Sequence, residues 1–367
     1  MRAFFRVAVW VCVCLTAAAA ATAQPTFTGK FKSPSIVSST VPSNGDENPY
    51  GVAVVPRSTG ALKQNDILVS NFNNSGNLQG TGTTIDEISP DGKLTLFAAI
   101  PKDLDDCPGG VGLTTALVVL RAGWVIVGSL PTTDGMADTI NAGCLIVLNR
   151  WGKPVKTFAG DGINGPWDMT ALDLGNAAVL FVTNVLNQTV AAGGSVVNHG
   201  TVLRIVLALR DDEDEEEGAP RILARTVIAS RFSERTDPNA LVIGPTGVGL
   251  GLNGTLYVAD SAANRIAAIP DAFFRFSDAG EGNTVTVGNN LNGPLGLAIA
   301  PNGNILTVNS GDGNLVETTP GGTQVAVVKN IDISGAGAGS LFGLALAPGG
   351  HGVYFVDDGN NTLDLLH

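Results

Sequence analysis

The chain has 367 residues, of which 44% are hydrophobic and only 15% are charged, and its formal net charge at pH 7 is −12. A soluble domain usually carries about 25% charged residues, and a disordered chain has fewer apolar residues than this one, so disorder is excluded. The acidic excess argues against nucleic acid as a partner, because phosphate backbones are bound by clustered Lys and Arg side chains. The 47 glycines follow no Gly-X-Y period, which excludes collagen and predicts many tight turns.

The first residues have the pattern of an export signal. Arg2 and Arg6 flank the start of an apolar run, which ends in Ala21-Thr22-Ala23. A basic start, an apolar centre and small residues two positions apart are typical of a secretory signal peptide. The alternative is an uncleaved membrane anchor, but the run is shorter than the roughly 20 residues that a span needs. We therefore predict a signal peptide over residues 1–23 and a secreted single domain over residues 24–367, with no membrane span.

Two of the four cysteines lie in the predicted signal peptide, and Cys107 and Cys144 remain. An even pair of cysteines in an oxidising compartment favours a disulfide bond between them. Two cysteines alone are too few for a structural zinc site. We therefore predict a Cys107–Cys144 disulfide.

A diverged repeat runs along the rest of the chain. Its clearest copy covers residues 292–310 and consists of a short apolar strand, an Asn-Gly turn, a second apolar strand and a polar loop. Repeats of about 40 to 50 residues with four short strands each are typical of β-propeller blades, and longer steps indicate loop insertions. The equivalent positions of the six copies are Gly51, Thr115, Asp168, Gly247, Gly296 and Gly343.

Each copy continues with a third strand, and where a turn follows, with a fourth. The predicted third strands are Thr84–Ser89, Leu145–Leu148, Thr201–Leu207, Arg265–Ile269 and Leu315–Thr319, and the clearest fourth strands are Leu94–Ala98 and Gln324–Val328. A parallel α/β fold would need amphipathic helices between the strands, and the sequence has almost none. The last copy ends after its third strand, and Pro34–Val37 precedes the first inner strand. We therefore predict an all-β, six-bladed β-propeller of four-stranded blades, whose last blade is completed by the N-terminal strand, because an open edge leaves backbone groups unpaired.

The repeat pattern also resembles a known family. Pro-x-Gly-[Val/Leu]-Ala, Pro-Asn-Gly and Val-Ala-Asp-Ser, most complete in residues 244–268 and 292–328, are similar to NHL-repeat propellers. They are also similar to the wider set that contains the gluconolactonase family and virginiamycin B lyase. The rhythm extends over roughly residues 34–367. This resemblance implies a six-bladed propeller but no particular reaction, since propellers host many functions.

The resemblance also implies where a site would lie. In lactonases of the gluconolactonase type, Glu, Asn and Asp placed just before the innermost strands hold a divalent metal, the oxygen ligand set that Ca²⁺ prefers. Glu47 and Asp168 lie close to the corresponding positions, but none of those positions is a carboxylate, and this departure argues against lactonase activity. The positions are occupied here by Tyr50, Thr114, Trp167, Thr246, Leu295 and Phe342.

This apolar and aromatic mouth has two interpretations. The side chains either plug the central channel, as large apolar residues usually do, or they form a binding surface with aromatic anchors. We take all six, together with Asp168, as candidate ligand-binding residues.

A ring of Asn and Asp residues at the ends of the second strands offers weak candidates for a metal site. Such side chains could coordinate a cation such as Ca²⁺, but more often they bond to nearby backbone amides and fix the turn. The ring consists of Asn71, Asn184, Asp260, Asn309 and Asp357. The weak metal candidates are Glu47, Asp168, Asp260 and Asp357.

Two further features receive no role in chemistry. Seven consecutive acidic residues, Asp211–Glu217, predict a solvated loop over residues 210–218, with weak Ca²⁺ binding as the alternative. The histidines at positions 199, 351 and 367 are expected in loops or at the terminus, away from the mouth, so none is a candidate general base.

The sequence thus predicts a secreted, monomeric propeller that binds a protein, glycan or small molecule through its loop face without catalysing a reaction. The alternative is a metal-dependent lactonase, hydrolase or lyase. A purely structural protein is a third possibility.

Overall fold

The structure, a computed structural model, describes residues 25–209, 218–335 and 339–367. Within these ranges the chain forms 25 β-strands and four short 3-10 helices, and the strands assemble into six antiparallel sheets. The innermost strands of successive sheets contact one another around a complete circle. The predicted six-bladed β-propeller is therefore confirmed. The predicted signal peptide and the acidic segment Asp211–Glu217 lie outside the described residues.

The strands follow the chain from blade to blade. The first strand is β1 (Pro34–Ser39). Blade 1 contains β2 (Glu47–Val54), β3 (Ile67–Asn73), β4 (Thr84–Ile88) and β5 (Leu94–Ala99). Blade 2 contains β6 (Leu113–Val119), β7 (Val125–Ser129), β8 (Cys144–Leu148) and β9 (Pro154–Phe158). Blade 3 contains β10 (Pro166–Asp173), β11 (Ala177–Asn184), β12 (Val197–Ala208), β13 (Arg221–Asp237) and β14 (Leu241–Ile243).

The second half of the ring has the same order. Blade 4 contains β15 (Pro245–Leu250), β16 (Leu256–Asp260), β17 (Arg265–Ile269) and β18 (Asn283–Val287). Blade 5 contains β19 (Pro294–Ile299), β20 (Ile305–Asn309), β21 (Leu315–Thr318) and β22 (Gln324–Val328). Blade 6 contains β23 (Leu341–Leu346), β24 (Val353–Asp357) and β25 (Thr362–Leu366). The 3-10 helices cover Thr28–Lys30, Ala137–Thr139, Val190–Ala192 and Pro348–Gly350.

The N-terminal strand completes the last blade, as predicted. β1 pairs antiparallel with β25, so that Pro34 lies opposite Leu366 and Ser39 opposite Thr362. This pairing gives blade 6 the fourth strand that the C-terminal residues lack. Strands from the two ends of the chain therefore share one sheet.

The repeated glycine is explained by the close approach of neighbouring blades. A Cβ atom on Gly247 would lie 2.1 Å from the carbonyl oxygen of Leu295 in the next blade. The same distance separates a Cβ on Gly296 from the carbonyl oxygen of Phe342, and on Gly343 the distance to Tyr50 is 2.3 Å. Real Cβ atoms do not come this close to backbone oxygens, because the atoms would overlap. At these three positions only glycine allows the neighbouring innermost strands to pack at this spacing.

Hydroxyl side chains join several of the blades near the axis. Each donates a hydrogen bond to a backbone carbonyl oxygen in or beside the innermost strand of the following blade, so the bonds tie the first two strands of one blade to the next blade. The bonds run from Ser70 to Thr114 (2.8 Å), from Thr114 to Pro166 (2.9 Å) and from Thr183 to Thr246 (3.0 Å).

Blade 3 differs from the predicted four strands. Its fourth strand, β13, is 17 residues long and has a β-bulge around Arg231, whose φ is 66°. Beyond the bulge the strand runs on and pairs with β14, with Asp237 opposite Leu241. The extra residues between the third and fourth copies of the repeat thus form, in part, an additional hairpin. The turn of this hairpin lies at the mouth of the ring.

The residues before β1 form a hook, residues 26–31, that the sequence did not predict. The backbone N–H groups of Phe27 and Thr28 each donate to the Glu317 carboxylate at 2.8 Å, and the Thr28 hydroxyl donates at 2.7 Å. Phe27 and Phe31 pack edge to face with ring centroids 5.1 Å apart, and both are buried. The hook therefore fastens the N-terminal segment to blade 5 before β1 enters blade 6.

The predicted disulfide bond joins Cys107 and Cys144, whose Cα atoms are 5.4 Å apart. Cys107 lies in the loop before β6 and Cys144 begins β8, so the bond fixes the loop at the entrance of blade 2. Both cysteines are buried. None of the helices in the described parts of the chain is long and apolar enough to cross a membrane.

Candidate functional site

Four aromatic rings pack together near the mouth of the central channel, and we call Tyr50, Phe72, Trp167 and Phe342 the aromatic layer. Tyr50 stacks on Phe342 and on Phe72, with centroid distances of 3.9 and 4.3 Å. Trp167 meets Tyr50 and Phe72 edge-on at 5.9 and 5.7 Å. All four are buried, with at most 7% of the surface of any one exposed. The layer is thus a packed group of rings.

A β-bulge places these side chains at the axis. In each of the six innermost strands, the pairing with the second strand shifts register within the first few residues. The shift between Pro49 and Gly51 frees Tyr50, and the shift between Leu341 and Leu344 frees Phe342. Bulges of this kind re-aim a side chain out of the regular alternation. All six candidate positions, which were expected just before the innermost strands, lie inside those strands and fall in the shifted segments.

On its outer side the aromatic layer forms the floor of a cavity of about 430 Å³, which we call the mouth cavity. Tyr50, Trp167, Leu295 and Phe342 line this floor. The walls come from the loops that precede the innermost strands and follow the second strands. Their polar residues include Asn48, Asn73, Gln79, Asn239, Ser310 and Asp358.

The structure brings together four of the seven predicted ligand-binding residues, namely those of the floor. Thr114 and Thr246 lie deeper and are buried. Thr114 donates to the Pro166 carbonyl oxygen, and Thr246 donates to that of Ala259 at 3.0 Å. Their hydroxyls therefore hold neighbouring strands and do not reach the cavity.

Asp168 lies on the other side of the aromatic layer. It lines the lower part of the channel, a space of about 360 Å³, and occupies the position that is glycine in four blades. Its carboxylate accepts hydrogen bonds from the backbone N–H groups of Met169 at 2.7 Å and of Val248 at 3.2 Å. Burial nevertheless raises the pKa of Asp168 to about 8, because these bonds only partly replace water. Asp168 thus links blade 3 to blade 4.

The walls of the mouth cavity hold three amide oxygens without a hydrogen-bond partner in the described part of the chain: those of Asn48, Asn73 and Gln79. The amide nitrogen of Asn73 donates to the Asn77 side-chain oxygen at 2.5 Å. The amide nitrogen of Gln79 donates to the Asn239 carbonyl oxygen at 3.2 Å. These bonds fix the two amides so that their oxygens remain as acceptors.

Asp358 contributes a carboxyl group to the cavity wall. Burial, together with the negative charges of Asp357 and Asp332, raises its pKa to about 7. Burial and the charge of Asp358 also raise the pKa of Tyr50 well above its usual value. Asp358 and Tyr50 both line the mouth cavity.

The weak metal candidates do not form one cluster. Asp260 forms an ion pair with Arg265 at 2.8 Å, and Asp168 lies below the aromatic layer. Asp357 accepts from the backbone N–H groups of Ser334 and Gly359 at 3.1 and 3.0 Å, the turn-fixing bonds considered above. Glu47 begins β2 at the rim. Within residues 25–209, 218–335 and 339–367, no group of three or more His, Cys, Asp or Glu side chains could hold a metal ion.

The sequence analysis did not predict the polar residues of the cavity walls. Asn73 and Asp358 lie within two residues of second-strand ends that the repeat had singled out, so their positions could have been extrapolated. Asn239 comes from the unpredicted β13–β14 hairpin, for which the repeat gives no signal. His199 is exposed and bonds to the Asn187 carbonyl oxygen at 3.0 Å, outside the cavity.

Comparison with solved structures shows the same fold in several proteins. An aldose sugar dehydrogenase from Streptomyces coelicolor, in its PQQ-bound form, matches with a TM-score of 0.54 at 15% identity, over 91% of this chain and 97% of that one. Regucalcin from Agrobacterium tumefaciens, described as a calcium-binding protein, matches at 0.52 and 12% identity, over 92% and 93% of the two chains. A gluconolactonase from Xanthomonas campestris matches at 0.51 and 11% identity, over 88% and 86%.

These similarities support the propeller fold and, at such low identity, nothing finer. No protein-family model matches the sequence, and comparison with curated proteins finds no match. The resemblance to NHL repeats in particular therefore stays a prediction from the repeat pattern.

Proposed function

We propose that the protein is an exported, monomeric binding propeller, a single domain over residues 24–367, that holds a small organic molecule in the mouth cavity without transforming it. The cavity carries this proposal. Its volume of about 430 Å³ lies within the range of small-molecule sites, and it combines an apolar floor with a few polar groups on the walls. Export is supported by the buried disulfide bond, because such bonds persist in oxidising compartments.

The chemistry of the cavity lining favours binding over catalysis. The walls consist mainly of side-chain amides and hydroxyls, which orient a ligand but are poor acids and bases. No histidine or cysteine lines the cavity in the parts of the chain that the structure describes. The bonds that Asn73 and Gln79 make through their nitrogens hold the walls in place, which reduces the ordering cost when a ligand binds.

A second candidate function is enzymatic, and Asp358 favours it. A carboxyl group with a pKa of about 7 in a cavity is suited to exchange a proton with a substrate. Two of the proteins with the same fold are named as enzymes, a gluconolactonase and an aldose sugar dehydrogenase. A metal-dependent lactonase, hydrolase or lyase would need further oxygen ligands, because the four acidic candidates do not form one cluster.

Ligand screening with a blocked-cavity variant tests the proposal. Purified protein is screened against a small-molecule library by thermal shift, and hits are repeated with Leu295→Trp, which fills the floor of the cavity. The variant Leu252→Trp is the matched control, because Leu252 is 79% exposed and outside the cavity. We expect the shift to disappear only in Leu295→Trp. Hits that are unaffected by Leu295→Trp would refute the mouth cavity as the site.

The same hits separate binding from catalysis. Each bound molecule is recovered after prolonged incubation and compared by mass spectrometry with the starting material, and lactone hydrolysis is assayed before and after chelation. We expect recovery of unchanged ligand and no hydrolysis. Conversion that Asp358→Asn abolishes would establish the enzymatic alternative. Conversion lost on chelation would establish the metal-dependent one.

A further inference from the structure

We propose that the protein attaches to the surface of a zwitterionic lipid bilayer through blade 4, on the face opposite the mouth. The attachment site consists of Leu252, Phe274 and Phe276, which we call the blade 4 tip. The exposure of these three side chains and the charges beside them carry this inference. It does not depend on the proposed function, because none of the three lines the mouth cavity.

The blade 4 tip holds the three most exposed large apolar side chains in the part of the chain that the structure describes. Phe276 is 86% exposed, Leu252 79% and Phe274 72%, and the next in order reach 59%. The loops before β15 and after β16 belong to the mouth, so the β15–β16 turn and the β17–β18 loop lie on the opposite face. The N–H group of Ala272 donates to the Gly254 carbonyl oxygen at 3.1 Å and joins turn to loop. The three side chains therefore belong to one surface.

Contacts of the β17–β18 loop hold its exposed rings in place. Phe273 is partly buried and packs against the core shared by blades 3 and 4, and the Arg204 guanidinium of blade 3 donates to the Phe273 carbonyl oxygen. The N–H group of Phe274 donates to the Asp271 carbonyl oxygen at 3.0 Å. The Arg204 guanidinium also lies 5.3 Å from the centroid of the Phe276 ring. The fold thus presents two rings to solvent, and their contact with hydrocarbon would be favourable.

The charges of the loop fit a zwitterionic headgroup. Arg275 lies between Phe274 and Phe276 in the chain, and Asp271 and Asp278 flank them at exposed positions. A guanidinium group binds a lipid phosphate, and the two carboxylates attract the ammonium group of the same lipid. The formal net charge of the chain is −12, which opposes a bilayer of negative surface charge. We therefore expect a preference for zwitterionic over anionic lipid.

A bilayer suits the blade 4 tip better than a pocket of another protein. The three side chains project from two separate turns, and the neighbouring Asn253 and Ser277 are exposed as well. Anchors in protein interfaces usually lie at the centre of a packed patch, where surrounding contacts exclude water. Lipid hydrocarbon adapts to each projecting side chain, and the strength of attachment follows the apolar area that enters it. Attachment at this face leaves the mouth cavity directed away from the bilayer.

Binding to vesicles tests the proposal. Purified protein is mixed with phosphatidylcholine vesicles, and the bound fraction is measured by sedimentation. We expect Phe274→Ser/Phe276→Ser to weaken binding at least about tenfold, because two rings lose their contact with hydrocarbon. Both positions are exposed, so the variant should fold normally. The matched control is Met136→Ser/Val196→Ser, at side chains 55% and 59% exposed on the mouth side, and it should bind like the parent.

Two further measurements locate the contact and define the lipid. In vesicles with brominated acyl chains, the added fluorescence of Phe274→Trp should be quenched, because bromine quenches at close range, whereas that of Met136→Trp should not. Replacing part of the phosphatidylcholine by phosphatidylglycerol should weaken binding at low salt. This difference should shrink as the salt concentration rises, since salt screens the repulsion.

Three outcomes would overturn the inference. Absence of binding to phosphatidylcholine vesicles would leave another protein as the occupant of the blade 4 tip. Equal binding of Phe274→Ser/Phe276→Ser and the parent would place the contact elsewhere. Tighter binding to the phosphatidylglycerol vesicles would refute the zwitterionic surface. None of these outcomes affects the proposed function, which is tested at the mouth cavity with Leu295→Trp.

Discussion

The rings of Tyr50 and Phe342 stack with their centroids 3.9 Å apart, across the junction between the first and the last blade. The same junction brings Gly343 against the carbonyl oxygen of Tyr50. The floor of the mouth cavity is therefore also the place where the innermost strands of the two end blades meet. A change to this pair of rings is expected to affect both ring closure and ligand binding.

Phe342→Ala should destabilise the protein by about 3–5 kcal/mol, the usual cost of removing a buried aromatic side chain. Phe342 is 7% exposed and contacts Tyr50, so the substitution leaves a cavity at the blade junction. Urea unfolding followed by fluorescence measures the change. Leu252→Ala, at a side chain 79% exposed, serves as the control and should change stability by no more than about 0.5 kcal/mol. Equal midpoints for the two variants would show that the stacked pair contributes little.

The titration of Asp168 should lower the free energy of unfolding as the pH rises from 4 to 8. Burial raises the folded-state pKa of this group from its usual 3.8 to about 8, so the folded protein keeps a proton that the unfolded chain releases. Its stabilising contribution is complete below the unfolded pKa and is lost as the pH rises through the folded pKa. One such group changes the free energy of unfolding by up to about 1.4 kcal/mol per pH unit.

The Asp168→Asn variant should flatten this pH dependence, because the amide does not titrate. The free energy of unfolding of the variant and of the parent is measured by urea titration at several pH values between 4.5 and 8. The variant keeps part of the slope, because burial also raises the pKa of Asp86, Glu234 and Asp364 to about 7 each. Asp103→Asn, at an exposed site, should keep the parent slope. A parallel curve for Asp168→Asn would mean that Asp168 is ionised in the folded protein throughout this range.

Glu317→Gln should release the N-terminal hook. Burial alone would raise the pKa of Glu317, but the hydrogen bonds from Asn304, Phe27 and Thr28 outweigh it and hold the pKa below the usual 4.5. The carboxylate therefore contributes stability that is present above the unfolded pKa and lost as the pH falls through the lower folded pKa. The substitution sets an amide donor against backbone donors, and we expect a loss of about 2 kcal/mol at pH 7.

Hydrogen exchange at the Phe27 and Thr28 amides is the direct readout for the hook. Both N–H groups donate to Glu317, so their exchange should accelerate in Glu317→Gln more than that of amides in the innermost strands. Glu281→Gln is the control, because the Glu281 side chain is 64% exposed and makes only a long ion pair with Arg265. Unchanged protection of Phe27 and Thr28 would show that the two phenylalanine side chains alone retain the hook.

Much of the fold could be predicted because each propeller blade requires a local sequence pattern. Short runs of Val, Ile and Leu mark strands that are buried on both faces, such as Leu145–Leu148 within β8. Gly247, Gly296 and Gly343 recur because a side chain at these positions would overlap the next blade. Tyr50 and Phe342 could be placed at the mouth because each directly precedes such a glycine.

The parts that could not be predicted depend on contacts between distant residues. Phe27 and Glu317 are 290 positions apart, and no local pattern marks either as a partner of the other. The β13–β14 hairpin follows a bulge at Arg231, a residue type without a preference for that conformation. The orientation of the Asn73 amide follows from its bond to Asn77 and is not encoded by residue type. Contacts between side chains therefore set the orientation of the polar groups in the cavity wall, while the repeat predicts only the blade to which each belongs.

The pairing of β1 with β25 sets a constraint on how the molecule is assembled. The strand that is translated first has its partner among the last residues, so the loop that this contact closes spans almost the whole chain. Loop closure over such a length is entropically unfavourable and slow compared with the formation of local hairpins. Until residues 34–39 pair with β25, blade 6 is a three-stranded sheet with an unpaired edge. Such an edge is a place where another chain can pair, and its pairing with β1 removes this route to aggregation.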